Sequence, residues 1–104
     1  MDAHQALAIL VDRLIHSMNP REIILFGSHA TGRAGPDSDI DLMVVLDRVE
    51  DPFEDMIRAL KSVSDLAYPK DILVTDPERL QRRAAMPHTI EHAVMTEGRR
   101  LYAA

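Results

Sequence analysis

Two aspartates stand two positions apart near the middle of the chain, in the order Asp39-Ile40-Asp41. Residues i and i+2 of an extended strand point to the same side, so the two carboxylates share a face, roughly 7 Å apart along the backbone. Carboxylates this close repel each other unless a cation lies between them. Mg²⁺ is a suitable cation, because it needs only one or two carboxylates and completes its shell with water and substrate phosphates. The spacing therefore predicts a magnesium site for a phosphate-bearing substrate.

A third carboxylate, Asp71, begins the next predicted strand. If that strand lies beside the strand of Asp39 and Asp41, all three acids meet, and with two metal ions they suit in-line phosphoryl or nucleotidyl displacement. Two simpler interpretations stay open. Asp39 and Asp41 could lie on a solvated strand edge, and Asp71 could cap a turn after Tyr68-Pro69.

Gly27-Ser28 follows a buried strand and provides a candidate phosphate site. A glycine lets the backbone approach a ligand closely, and a helical turn that starts at Ser28 would present free amides and a hydroxyl to an anion. Ser28 could also be a simple helix cap, which is compatible with that role. Arg33, in the following loop, either contacts a phosphate oxygen or is solvated, and Ser38 is expected to cap the turn before Asp39.

The elements that position these residues can be predicted from hydrophobic periodicity and turn residues. Helical spacing of apolar residues predicts a first helix over residues 2–18, ending before Asn19-Pro20. Short apolar runs predict buried strands over 22–26, 39–46 and 71–75. The segment 28–36 is predicted to be a loop, with one helical turn after Gly27 as an option.

Two aspartate–proline pairs, Asp51-Pro52 and Asp76-Pro77, are typical helix starts. The helix after Pro52 is expected to bury a stripe formed by Phe53, Met56, Ile57, Leu60 and Val63. The helix after Pro77 is expected to break at Met86-Pro87. A last helix over 89–97 should end at Gly98, a residue typical of the position after a helix, and 99–102 should add an edge strand.

Helices alternate with buried strands, so the fold class is α/β or α+β. The helix between the second and third strands favours a parallel pair, whereas the short link between the first two allows an antiparallel pair. We therefore expect a small mixed β-sheet covered by helices.

The composition narrows the classes of function. The 104 residues fit a single domain spanning 1–104. With 12 basic and 17 acidic residues the net charge is −5, so a nucleic-acid partner is not expected. No apolar stretch approaches the roughly 20 residues that cross a bilayer, so no membrane association is expected. The chain has no cysteine, which excludes disulfides and thiolate metal sites. With no recognisable signal peptide, we expect a cytoplasmic location.

The order Gly27-Ser28-His29-Ala30-Thr31-Gly32, followed by Ser38-Asp39-Ile40-Asp41-Leu42, resembles the signature of the nucleotidyltransferase superfamily with the DNA polymerase β-like fold. More closely, the chain is similar to the minimal nucleotidyltransferases of bacteria and archaea, which are antitoxins encoded beside HEPN-domain toxins. The resemblance covers nearly the whole chain and includes Asp71 at the third-strand position.

This resemblance implies a role for each matching residue. Gly27 and Ser28 would bind the triphosphate, with Arg33 as a further nucleotide contact. Asp39 and Asp41 would hold two Mg²⁺ ions, while Asp71 would help to bind metal and activate the attacking hydroxyl.

The implied reaction is transfer of AMP from ATP to a hydroxyl, with a tyrosine of a partner HEPN toxin as the best acceptor, in a toxin–antitoxin pair resembling type VII. Two alternatives stay open: an antitoxin that neutralises its partner by contact alone, and a nucleotidyltransferase acting on a small molecule such as an aminoglycoside. Either a homo-oligomer or a hetero-oligomer is compatible with the resemblance.

Two further groups have the spacing of binding sites. His88 and His92, four apart, could bind a metal, but without a third ligand a surface pair is favoured. Arg79, Arg82 and Arg83 share one helix face, which is typical of a solvated surface. In combination with Arg99 and Arg100, this face could form a surface for an acidic partner.

Overall fold

The computed structural model describes residues 1–104 and contains five helices and four strands. In chain order these are α1 (Ala3–Met18), β1 (Glu22–Phe26), α2 (Ser28–Thr31), β2 (Ile40–Val45), α3 (Pro52–Ser62), β3 (Lys70–Thr75), α4 (Pro77–Ala84), α5 (Ile90–Glu97) and β4 (Arg99–Ala103). None of the helices is both long enough and apolar enough to span a membrane.

Side-chain caps explain where four of the five helices begin, α2 being the exception. At α1, the Gln5 amide donates to Asp2 Oδ1 (2.8 Å) and the Asp2 amide donates to Gln5 Oε1 (3.1 Å). At α3 and α4 the Asp51 and Asp76 side chains each accept one hydrogen bond, from the Glu54 and Arg79 amides, and each helix has proline at its start. The helix starts predicted from the two aspartate–proline pairs are therefore confirmed.

The four strands form one mixed sheet in the order β3-β2-β1-β4. β2 and β3 run parallel, because α3 carries the chain back between them, whereas β1 is antiparallel to both β2 and β4. The expected mixed sheet covered by helices is confirmed. In the register, Asp41 pairs with Asp71 on one side and with Phe26 on the other.

The sheet separates two apolar clusters. On one face, β-strand residues such as Leu25, Leu42 and Ile72 pack with α1 and α3 in a cluster of 15 buried residues. The opposite face packs with α4 and α5 in a cluster of six: Ile24, Phe26, Met43, Val45, Leu80 and Val94. Alternation along the strands puts Asp41 and Asp71 on this second face, in line with Met43 and Leu73.

The predicted buried stripe of α3 is partly wrong. Phe53 and Leu60 are 71% and 41% exposed, whereas Ala59 and Val63 are completely buried. The small side chain of Ala59 lets α3 approach its neighbours along the line of residues 59 and 63. Phe53 and Leu60, seven residues apart, consequently lie on the same solvent-facing side of the helix, about two turns apart.

Gly98 ends α5 as predicted, but for a different physical reason. Its φ of −71° is accessible to any residue, so no left-handed conformation requires glycine here. A Cβ at this position would instead lie 2.2 Å from the Val94 carbonyl oxygen and 2.8 Å from the Ile24 side chain. Glycine therefore allows the end of α5 to approach β1 closely.

Candidate functional site

The parallel register brings Asp41 and Asp71 together at one end of the sheet. They are direct partners in the β2–β3 ladder, so their side chains project from the same face. Asp39 lies two residues before Asp41, just ahead of β2, and the paired end of β1 at Phe26 leads directly into Gly27. The structure thus gathers Gly27 and the three predicted acids at one edge.

The negative charge at this edge affects the pKa of Asp41. Burial raises the pKa of Asp41, and the negative charges of Asp71 and Asp39 raise this pKa further, while His29 acts in the opposite direction. An ionised Asp41 is therefore destabilising as long as no cation compensates it.

The carboxylates at this edge suit Mg²⁺, because this cation prefers oxygen ligands and its charge compensates theirs. No three histidine, aspartate or glutamate side chains of the chain form a metal-ligand cluster by themselves. Mg²⁺ needs only one or two carboxylates when phosphate and water supply the remaining ligands, so a bound triphosphate would complete the coordination shell.

Gly27 is required by geometry at the turn after β1. Its φ of +73° lies in the region that side chains disfavour, and a Cβ there would lie 2.2 Å from Asp41 Oδ2. The backbone of Gly27 therefore packs directly against the Asp41 carboxylate. A side chain at position 27 would occupy the space between the turn and the acids.

The short helix α2 confirms the optional helical turn after Gly27. Its first hydrogen bonds run from the Ala30 and Thr31 amides to the Gly27 carbonyl oxygen, at 3.1 and 3.2 Å. The amides of Ser28 and His29 come before these bonds and donate to no group of the chain. Two free amides next to Gly27 can bind an anion.

The loop between α2 and β2 contains the remaining predicted residues. Arg33 is exposed, and its amide donates to the Ser28 carbonyl oxygen at 2.9 Å. Ser38 caps the turn before Asp39 as expected, since its hydroxyl accepts a hydrogen bond from the Gly35 amide at 2.9 Å.

One residue of the site was missed by the sequence interpretation. His29 contacts Ser38 through its Nε2 (3.2 Å to the carbonyl oxygen) and packs edge-on against Tyr68, with ring centroids 6.5 Å apart. These partners lie nine and 39 positions away in the chain, so no local pattern reveals the contacts.

Several side chains of the histidine pair and of the arginine set make contacts within the chain. His92 Nδ1 is 2.9 Å from the Ala84 carbonyl oxygen, which links α5 to α4, and His88 lies ahead of α5 with a φ of +71°. Of the arginines, Arg83 pairs with the buried Glu91 at 3.1 Å, and Arg82 and Arg100 pair with Glu78 and Glu22. The basic face is therefore partly neutralised within the chain.

Residues 10–104 match the family model described as polymerase beta, nucleotidyltransferase. No curated protein matches the chain significantly.

Solved structures share the fold at low sequence identity. A candidate nucleotidyltransferase from Sulfolobus solfataricus has a TM-score of 0.69 at 20% identity, covering 95% of this chain and 78% of that one. A chain of a toxin–antitoxin complex with AMP-PNP has a TM-score of 0.68 at 22% identity, covering 99% and 75%.

A chain from the complex of tri-AMPylated Shewanella oneidensis HEPN toxin with MNT antitoxin has a TM-score of 0.62 at 20% identity, covering 97% and 72%. These similarities show the fold. Because the family model extends over nearly the whole sequence, including Gly27 and all three acids, the chain belongs to the polymerase β nucleotidyltransferase family.

Proposed function

We propose that this chain transfers AMP from ATP to a tyrosine hydroxyl of a HEPN-domain partner and thereby acts as an antitoxin in the cytoplasm, with residues 1–104 as one catalytic domain. The observation that carries the proposal is the pairing of Asp41 with Asp71 beside the Gly27 backbone. Two fold relatives support the choice of nucleotide and partner, one from a complex with AMP-PNP and one from a complex that contains an AMPylated HEPN toxin.

Each residue of the edge has a proposed role. Asp39, Asp41 and Asp71 would hold two Mg²⁺ ions, which neutralise the triphosphate and the charge that develops during transfer. The Ser28 amide and hydroxyl and the adjacent Gly27 backbone bind phosphate oxygens. Arg33, exposed on the next loop, adds a cationic contact to the triphosphate.

The reaction is an in-line displacement at the α-phosphorus. The tyrosine oxygen forms a bond to the α-phosphorus while the bond from that phosphorus to the oxygen bridging to the β-phosphate breaks. Pyrophosphate leaves with the electron pair, and the hydroxyl proton passes to the Asp71 carboxylate. The protein contributes positioning and charge stabilisation, with no covalent intermediate of its own.

Labelled ATP tests this function. The chain is incubated with Mg²⁺, the protein encoded by the adjacent gene, and ATP labelled at either the α- or the γ-phosphate. Nucleotidyl transfer predicts label on a tyrosine of the partner from α-labelled ATP and none from γ-labelled ATP. A stable complex without α-label would contradict the proposal and support neutralisation by contact alone, whereas label on an added aminoglycoside would identify a small-molecule acceptor.

Asp71→Asn should separate chemistry from binding. As the base, Asp71 acts mainly in the transition state, so its loss should lower turnover about 10²–10⁴-fold while ATP affinity falls much less. Asp47→Asn is the matched control, because Asp47 follows the opposite end of β2 and is exposed. Steady-state kinetics check this, and an equal loss of turnover and ATP affinity would assign Asp71 to binding alone.

A further inference from the structure

His29 contacts the segments that lead into two of the proposed catalytic acids. Its own position is in α2, directly after Gly27-Ser28. Its Nε2 lies 3.2 Å from the carbonyl oxygen of Ser38, the residue before Asp39. Its ring meets Tyr68, three residues before Asp71, edge-on at 63°. A single half-buried side chain therefore connects the phosphate-binding turn with both acidic segments.

The contact with Ser38 indicates which ring nitrogen of His29 donates. A carbonyl oxygen only accepts, so Nε2 of His29 must carry the proton and donate it. The neighbouring backbone completes the connection, because the Ile40 amide donates to the Pro69 carbonyl oxygen at 3.0 Å. Asp39 thus stands between two anchored residues, one held through His29 and the other through the segment of Tyr68-Pro69.

We propose that His29 is a positioning residue, which holds the backbone of Asp39 in register with the phosphate-binding turn and with the Asp71 strand so that the acids can bind metal together. The metal part of this inference rests on the proposed function. Groups that orient metal-binding residues typically change metal affinity about 10–100-fold when removed. The effect of His29 should therefore appear in metal binding as well as in local backbone order.

Substitutions at position 29 can distinguish the effect of the hydrogen bond to Ser38 from the effect of the ring packing against Tyr68. His29→Gln retains an N–H donor at the end of the side chain, whereas His29→Phe retains an aromatic ring against Tyr68 but has no donor. His16→Gln is the control, since His16 is an exposed histidine on α1. Circular dichroism melting first verifies that each variant is folded, and His29→Phe preserves the packing volume where a smaller side chain would not.

Two measurements test the inference. In the protein without nucleotide, hydrogen exchange at the Ser38 and Ile40 amides should be faster in His29→Phe than in wild type. In His29→Gln, both amides should exchange at the wild-type rate. With ATP present, the Mn²⁺ concentration for half-saturation, measured by electron paramagnetic resonance, should rise about tenfold in His29→Phe. It should stay within about twofold of wild type in His29→Gln and His16→Gln.

The possible failures are distinguishable. Unchanged exchange at both amides in His29→Phe would overturn the inference, as would a loss in His29→Gln equal to that in His29→Phe. Faster exchange with unchanged Mn²⁺ affinity would overturn the link to the metal site. A wild-type protein that binds no Mn²⁺ in the presence of ATP would contradict the proposed function, while the exchange experiment would still decide whether His29 orders the segment before Asp39.

Discussion

Replacing Asp41 with asparagine should abolish nucleotidyl transfer and leave the protein at least as stable as wild type in the absence of metal. Metal ligation requires the carboxylate charge, and charge stabilisation by a bound metal supplies several kcal/mol in the transition state, so the rate should fall about 10³-fold or more. Stability should respond in the opposite direction, because the substitution removes a half-buried charge that Asp39 and Asp71 repel.

The pH dependence of melting provides a check on this stability effect. The pKa of Asp41 is raised in the folded protein, so its ionised form lowers the free energy of unfolding at neutral pH. As the pH falls through that pKa, wild-type Asp41 becomes neutral and the penalty disappears. The melting temperature of Asp41→Asn should exceed that of wild type at pH 7 in EDTA, and the difference should shrink on acidification.

Asp47→Asn again serves as the control, since that carboxylate is exposed and pairs with Arg21 away from the edge. Its transfer rate should match that of wild type. Near wild-type transfer by Asp41→Asn in Mg²⁺ would show that Asp41 is not a metal ligand.

Gly27→Ala should eliminate ATP binding and also destabilise the fold. Gly27 has φ +73° and ψ −155°, a combination that essentially only glycine adopts, so a non-glycine residue there costs about 1–3 kcal/mol. In addition, the new Cβ would lie 2.2 Å from Asp41 Oδ2, so the carboxylate would have to move. This one methyl group therefore affects both the turn proposed to bind phosphate and the acids proposed to bind metal.

Gly35→Ala is the matched control for this substitution. No atom lies within 4 Å of a Cβ at Gly35, and its φ is not in the left-handed region. Its stability should therefore change by no more than about 0.5 kcal/mol. Urea unfolding and ATP titration compare the two variants, and equal behaviour would contradict the requirement for glycine at position 27.

The strands and their pairing were predictable from local patterns. The Asp51-Pro52 start and the apolar runs around it identify a helix between two buried strands, and this connection implies a parallel pair. That pairing is sufficient to place Asp71 beside Asp41. The turn after β1 was likewise predictable, because Gly27 terminates an apolar run.

Features that depend on packing between distant segments were not predictable in this way. Phe53 and Leu60 have the residue types and spacing of a buried stripe, yet α3 is oriented by the small Ala59, and only the tertiary packing reveals this. The contacts of His29 with Ser38 and Tyr68 depend on how α2 and two loops converge at the sheet edge.

Thermal melting of the wild-type protein with ATP tests most directly whether these carboxylates form a cation-dependent triphosphate site. In Mg²⁺, ATP at 100 times its Kd should add about 2.7 kcal/mol of stability, which raises Tm by roughly 10–20 °C for a domain of this size. In EDTA the triphosphate would meet three uncompensated acids, so ATP should leave Tm unchanged. An equal rise in EDTA would contradict a metal-dependent site at Asp39, Asp41 and Asp71.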